Sequence, residues 1–188
     1  VLSSPEVGGG SIYVGGFDEL RAFDAGTGDV RWTYDSLSAI KPRPHYTNGR
    51  IYTGSDGNRV FAFRANDGTK LWEARTDGAV WTTPVTTEEY VVVGTNAGFI
   101  RGFRRTDGAA SWTIEAGSSV QVDPLRHDGT VYTGTNAGRA MAVDPYEGRV
   151  MWDLQVGESI EARPALLPSG DLLVTGYEGT MLAVTPPT

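Results

Sequence analysis

Four tryptophans, Trp32, Trp72, Trp112 and Trp152, stand 40 residues apart, and each closes a copy of one short stretch. The copies run from Ala22 to Trp32, Ala62 to Trp72, Gly102 to Trp112 and Ala142 to Trp152. A two-residue turn precedes each ring at a fixed distance: Thr27-Gly28, Asp67-Gly68, Asp107-Gly108 and Glu147-Gly148. A fifth copy begins at Ala183-Val184 and stops short of its turn and its tryptophan. A chain this regular must repeat one local structure and the contacts between neighbouring copies.

Each repeat divides into four short extended runs. The first carries a proline, at Pro5, Pro44, Pro84, Pro124 and Pro164. The second is β-branched and aromatic and ends in glycine: Ile12-Tyr13-Val14-Gly15, Ile51-Tyr52-Thr53-Gly54, Val91-Val92-Val93-Gly94, Val131-Tyr132-Thr133-Gly134 and Leu173-Val174-Thr175-Gly176. The third ends on the small residue Ala22, Ala62, Gly102, Ala142 or Ala183, and the fourth holds the tryptophan. Gly8-Gly9-Gly10, Asn48-Gly49, Asp56-Gly57, Asp128-Gly129 and Ser169-Gly170 punctuate the gaps, so consecutive runs read as antiparallel hairpins. No segment sustains a 3.6-residue apolar period, and essentially no helix is expected.

A period near 40 with four strands per unit predicts an all-β fold, a β-propeller of four-stranded antiparallel blades, with four full repeats and a three-strand fifth. One such sheet buries only part of its apolar surface, and stacking sheets around an axis buries the rest. The repeats fall at about 1–39, 40–79, 80–119, 120–159 and 160–188, within a single propeller domain or as part of a larger propeller. Pro186-Pro187 reads as a stop, because proline cannot donate to a strand ladder. The start, Val1-Leu2-Ser3-Ser4-Pro5, is neither a signal peptide nor an initiator methionine, which suggests a mature or excised piece.

The stretch Ala22 to Trp32 fits the pattern Ala-x-Asp-x-x-Thr-Gly-x-x-x-Trp at every defined position. The second copy departs at Arg64 and Asp67, the third at Gly102, Arg104 and Asp107, and the fourth only at Glu147. The pattern resembles the tryptophan-docking motif of the pyrroloquinoline-quinone-like propeller repeat family, and the resemblance spans the whole chain. It implies that the rings of one blade dock on the glycine turn of a neighbour, tying Trp32, Trp72, Trp112 and Trp152 to Gly28, Gly68, Gly108 and Gly148 in one direction or the other. In repeat type the chain is similar to the β-barrel assembly lipoproteins and to many sensor ectodomains. That implies an extracytoplasmic location, periplasmic or cell-surface, and a protein or peptide partner.

Composition narrows the function. The net charge of −7 disfavours a nucleic-acid partner, which wants clustered Lys and Arg. No apolar run approaches the roughly 20 residues of a membrane helix, so direct insertion is not expected. With no cysteine there are no disulfides, thiolate metal sites or cysteine nucleophile. No P-loop, His-Glu-x-x-His, Gly-x-Ser-x-Gly or EF-hand pattern occurs, so no catalytic residue, metal site or cofactor is assigned. Of the two histidines, His45 reads as a packed or surface residue and not a base, and His127 as exposed.

The positions flanking each proline differ between repeats. Three before it stand Leu2, Lys41, Trp81, Gln121 and Glu161, and one before it stand Ser4, Arg43, Thr83, Asp123 and Arg163. Variation on the innermost strand, inside an otherwise repeated framework, marks where a site could be built. Lys41, Arg43, Trp81, Gln121, Asp123, Glu161 and Arg163 are therefore the candidate binding residues. The charged ones are costly to bury unpaired, so they pair across the channel, stay solvated, or face a polar ligand. The function expected is a non-catalytic scaffold that binds a protein or peptide through its loop face. The alternatives are a small-ligand or glycan binder at the channel mouth using Trp81, and a fragment of a quinoprotein dehydrogenase.

Overall fold

The computed structural model describes residues 2–185, and within them there is no helix. Five antiparallel sheets follow one another along the chain. The first holds β1 (Glu6–Gly8), β2 (Ser11–Gly15), β3 (Glu19–Asp24) and β4 (Val30–Asp35). The second holds β5 (His45–Thr47), β6 (Arg50–Ser55), β7 (Arg59–Arg64) and β8 (Lys70–Arg75). The third is β9 (Val85–Thr86), β10 (Tyr90–Gly94), β11 (Phe99–Arg104) and β12 (Ala110–Glu115). The fourth is β13 (Leu125–His127), β14 (Thr130–Gly134), β15 (Arg139–Asp144) and β16 (Arg149–Gln155). The fifth has three strands, β17 (Ala165–Leu166), β18 (Leu172–Thr175) and β19 (Met181–Val184). In every sheet the strands pair in chain order, as all-β propeller blades do. Pro186-Pro187, read above as a stop, lies outside the described residues.

The third strands do not end on their small residue. They run on through Asp24, Arg64, Arg104, Asp144 and Val184. In the first four sheets the register slips by one just after that residue, opposite the tryptophan: Ala22 faces Trp32, yet Phe23 faces Val30. The same slip follows Ala62, Gly102 and Ala142. A bulge at the tryptophan lets the ladder continue past it.

Alternation of side chains sends neighbouring residues of one strand into different cores. In β6, Ile51 joins a cluster with Tyr13, Leu20 and Trp32 of the first sheet, while Tyr52 joins one with Val91, Val93 and Phe103 of the third. Four such clusters lie between the five consecutive sheets. Among the described residues no apolar cluster joins the fifth sheet to the first. The outer face of the first sheet, with Ile12, Val14 and Phe23, is only half-buried, and Met181 on the fifth is 66% exposed.

Two devices lock the sheets together. Each inter-sheet linker bonds to both neighbours: the Ile40 N–H donates to the Gly16 carbonyl at 2.9 Å, and the Asp56 N–H to the Ala39 carbonyl at 2.9 Å. Val80, Val120 and Ile160 repeat the first of these bonds. The second device is the indole. Trp32 Nε1 donates to the Ala65 carbonyl at 3.0 Å, Trp72 Nε1 to Arg105 at 3.1 Å and Trp112 Nε1 to Pro145 at 2.9 Å, each on the following sheet. Each ring lies on that sheet's turn glycine, where φ is positive. A Cβ added at Gly68 would sit 2.7 Å from Trp32, and one at Gly108 would sit 2.6 Å from Trp72. The position equivalent to the carbonyl of Pro145 for Trp152 is Pro186, outside the described residues.

The departures from the motif compensate one another. Asp24 Oδ1 accepts the N–H groups of Gly26 and Thr27, at 2.8 and 2.9 Å, and so shapes the turn. The Arg31 guanidinium, and after it those two bonds, hold its carboxyl down at about 2. Where Arg64 and Arg104 replace that aspartate, Asp67 and Asp107 replace the threonine, and the pairs close at 2.9 and 2.8 Å.

The glycine turns offer a controlled test. Gly28 and Gly68 both have positive φ, but the space around a Cβ at Gly28 is open. Gly28→Ala is expected to cost about 1 kcal/mol of backbone strain. Gly68→Ala is expected to cost about 2 kcal/mol more, because the ring must move. Urea unfolding of the two variants measures the difference, and equal losses would mean that the ring contact contributes nothing.

Candidate functional site

The loops that precede each first strand, and those between second and third strands, meet on one face through the linker bonds described above. Lys41 and Trp81 come together there. The Lys41 ammonium lies 4.6 Å from the centre of the Trp81 ring, and it pairs with Asp56 at 2.7 Å. The Trp81 indole N–H donates to the same carboxylate. Asp56, in the turn between β6 and β7, thus holds both candidates. In the sequence its Asp-Gly pair carried only a turn signal, so its second role had no mark. Trp81 is half-buried, with its N–H and one ring face already engaged.

The other candidates form local contacts and do not converge on one pocket. Arg43 approaches Glu6 at 3.5 Å, and Glu6 also accepts the Tyr46 N–H at 3.2 Å. Asp123 accepts both the backbone N–H and the hydroxyl of Thr83, at 2.6 and 2.8 Å, joining the fourth sheet to the third. Gln121 donates to the Ser119 hydroxyl at 2.9 Å, and Glu161 accepts from the Ser159 hydroxyl at 3.3 Å; both are exposed. Arg163 is exposed and forms no ion pair among the described residues. Glu6 was not singled out in the sequence, since a carboxylate one residue after a proline carries no pattern of its own.

His45 packs between the second and third sheets, its Nε2 3.1 Å from the Thr86 hydroxyl. Burial pushes its imidazole below the ordinary value. The nearby Arg43, Arg105 and Arg163 act the same way, against Glu6, which raises it. His127 is exposed, 3.1 Å from Asp128. Among the described residues no three His, Asp or Glu side chains gather to hold a metal ion. Nor is any helix in them long and apolar enough to cross a membrane.

Two hollows lie away from the seven candidates. One of about 310 Å³, between the first and second sheets, is lined by Tyr34, Leu37, Arg59, Phe61 and Glu73 among others. Another, of about 300 Å³, is lined by Asn48, Arg50, Glu88, Arg105 and Thr106.

Two outcomes follow. Asp56→Ala frees the Trp81 edge and unpairs Lys41, so acrylamide quenching of tryptophan emission is expected to rise; unchanged quenching would mean the trio does not shield the ring. His45 is held neutral in the fold, so its contribution to stability is complete above about 6.5, the ordinary value, and is lost as pH falls through the lowered folded value. Chemical unfolding across that window is expected to show stability dropping toward acid, with a shallower drop in His45→Gln.

Comparison with known proteins bears on the whole arrangement. The crystal structure of BamB from Moraxella catarrhalis superposes with a TM-score of 0.83 at 18% identity, over 98% of this chain and 61% of that one. The computationally designed Ika8 protein gives 0.85 at 16% identity, over 97% of this chain and 57% of that one. The designed Ika4 protein gives 0.70 at 16% identity, over 80% of this chain and 92% of that one. The chain thus spans about three-fifths of the length of the first two. At these identities the likeness concerns the fold alone. No curated protein matches the sequence. A family model described as outer membrane protein assembly factor BamB matches residues 16–187, and the chain belongs to that family of pyrroloquinoline-quinone-like repeats.

Proposed function

We propose that this chain is a non-catalytic scaffold that binds a protein or peptide partner through its loop face, outside the cytoplasm. The observation that carries the reading is a division of labour along the repeat. Repeated positions such as Ile51, Val91 and Val131 fill the inter-sheet cores, whereas Lys41, Trp81, Gln121 and Glu161, at one position of the loop face, differ from sheet to sheet and reach solvent. A rigid framework with a variable face suits recognition of a macromolecule. The family's description as an outer membrane protein assembly factor supports both a protein partner and an extracytoplasmic setting. The recurring tryptophans act in this reading as docking groups that keep the framework rigid. Residues 1–188 form a single propeller domain or part of a larger propeller.

A small ligand or glycan at the channel mouth is the second reading. It would need Trp81 as an open platform, and the Asp56 bond and Lys41 ammonium already occupy that ring.

Photo-crosslinking of the folded chain to detergent-extracted envelope proteins, followed by mass spectrometry, tests the scaffold reading. A discrete set of proteins captured by the folded chain and missing from a heat-unfolded control is expected. Repeated failure to capture any would overturn it.

A further inference from the structure

We infer that Leu37 and Phe17 form a docking point for an apolar side chain of a partner protein, flanked in that partner by Lys or Arg. The inference rests on the scaffold reading and names its surface. Leu37 is 87% exposed and Phe17 is 74% exposed. They stand on adjoining loops of one face, joined by the Ser36 N–H donating to the Asp18 carbonyl at 2.7 Å.

Neither residue is what its position in the repeat ordinarily holds. Gly16 accepts from Ile40 as Ser55, Thr95 and Thr135 accept from Val80, Val120 and Ile160, so Phe17 occupies the place of Asp56, Asn96 and Asn136, and of Tyr177 on the fifth sheet. Leu37 occupies the place of Asp77, Gly117 and Gly157 and shares the left-handed backbone of the two glycines, with φ of 55° against 83° and 95°. A bulky side chain there is strained. The conformation is held locally: the Leu37 N–H donates to Asp35 Oδ1 at 2.9 Å, and the Ser36 hydroxyl donates to the Ser38 carbonyl at 2.7 Å. Strain that places an apolar side chain in water brings the isolated chain no stability. Such strain is characteristic of a residue held ready for a ligand.

The surroundings define the partner. Beside Leu37 opens the hollow of about 310 Å³, where Tyr34 and Phe61 supply apolar wall. Glu73 on its rim is already matched by Arg59 and Lys70. Asp18 and Asp35, which flank the two apolar groups, form no ion pair among the described residues. A partner that seats an apolar side chain against Leu37 therefore gains by setting a cation beside these carboxylates.

The test is selection of a phage-displayed random peptide library on the immobilised chain, with the selected peptides then measured as synthetic peptides by fluorescence anisotropy. The selected sequences are expected to share an apolar residue next to Lys or Arg, and to bind more weakly as salt rises. Leu37→Gly is expected to weaken binding by about tenfold or more, and Phe17→Ser to weaken it too. The same Leu37→Gly chain is expected to melt about 2 °C higher, because the strain is gone. That rise separates lost recognition from lost folding. Peptides without the pattern, or binding that Leu37→Gly leaves unchanged, would overturn the docking point and leave the scaffold reading standing. If no peptide is selected, the docking point falls as well, while envelope proteins crosslinked equally by Leu37→Gly would keep the scaffold reading.

Discussion

An indole ring laid on the glycine of the next sheet's turn is what makes separate sheets one body. A four-stranded sheet has two apolar faces and can cover neither by itself. The ring covers the outer part of the seam, and its N–H finds a backbone carbonyl on the far side, so no buried donor is left unpaired. The turn must be glycine twice over. It needs a positive φ, and it needs nothing standing where the ring lies.

The rest of the framework follows from that seam. The small residue opposite each tryptophan leaves room for the ring, and the register slip after it lets the third strand continue. The linkers clip two sheets at once with backbone bonds, so neighbouring blades cannot slide past each other. Exchange of the turn's Asp and Thr for Arg and Asp keeps the turn closed by another pairing. Three seams built this way leave the loops free to differ, and differences there do not disturb the core.

Charge on the inner strands and loops is settled locally. Arg43 meets Glu6 and Asp123 meets Thr83 between neighbouring sheets, and Lys41 meets Asp56 within the second repeat. Such contacts add little stability where exposed, but they orient side chains. On the same face Leu37 and Phe17 are exposed, beside Asp18 and Asp35, which form no ion pair among the described residues.

The sequence by itself determined the architecture, because a repeat of 40 residues with alternating β-branched runs, glycine turns and a recurrent tryptophan admits few ways to bury its apolar faces. It also marked Lys41 and Trp81 as places where the repeat varies. Only the tertiary structure decided which turn each ring meets, that Asp56 holds Lys41 and Trp81 together, and that Leu37 stands in a left-handed backbone. Contacts between sheets join residues far apart in the chain through register and twist, and a backbone dihedral at a non-glycine residue leaves no trace in composition. Periodicity survives in a linear string, whereas a meeting of three side chains from three loops exists only once the sheets are stacked.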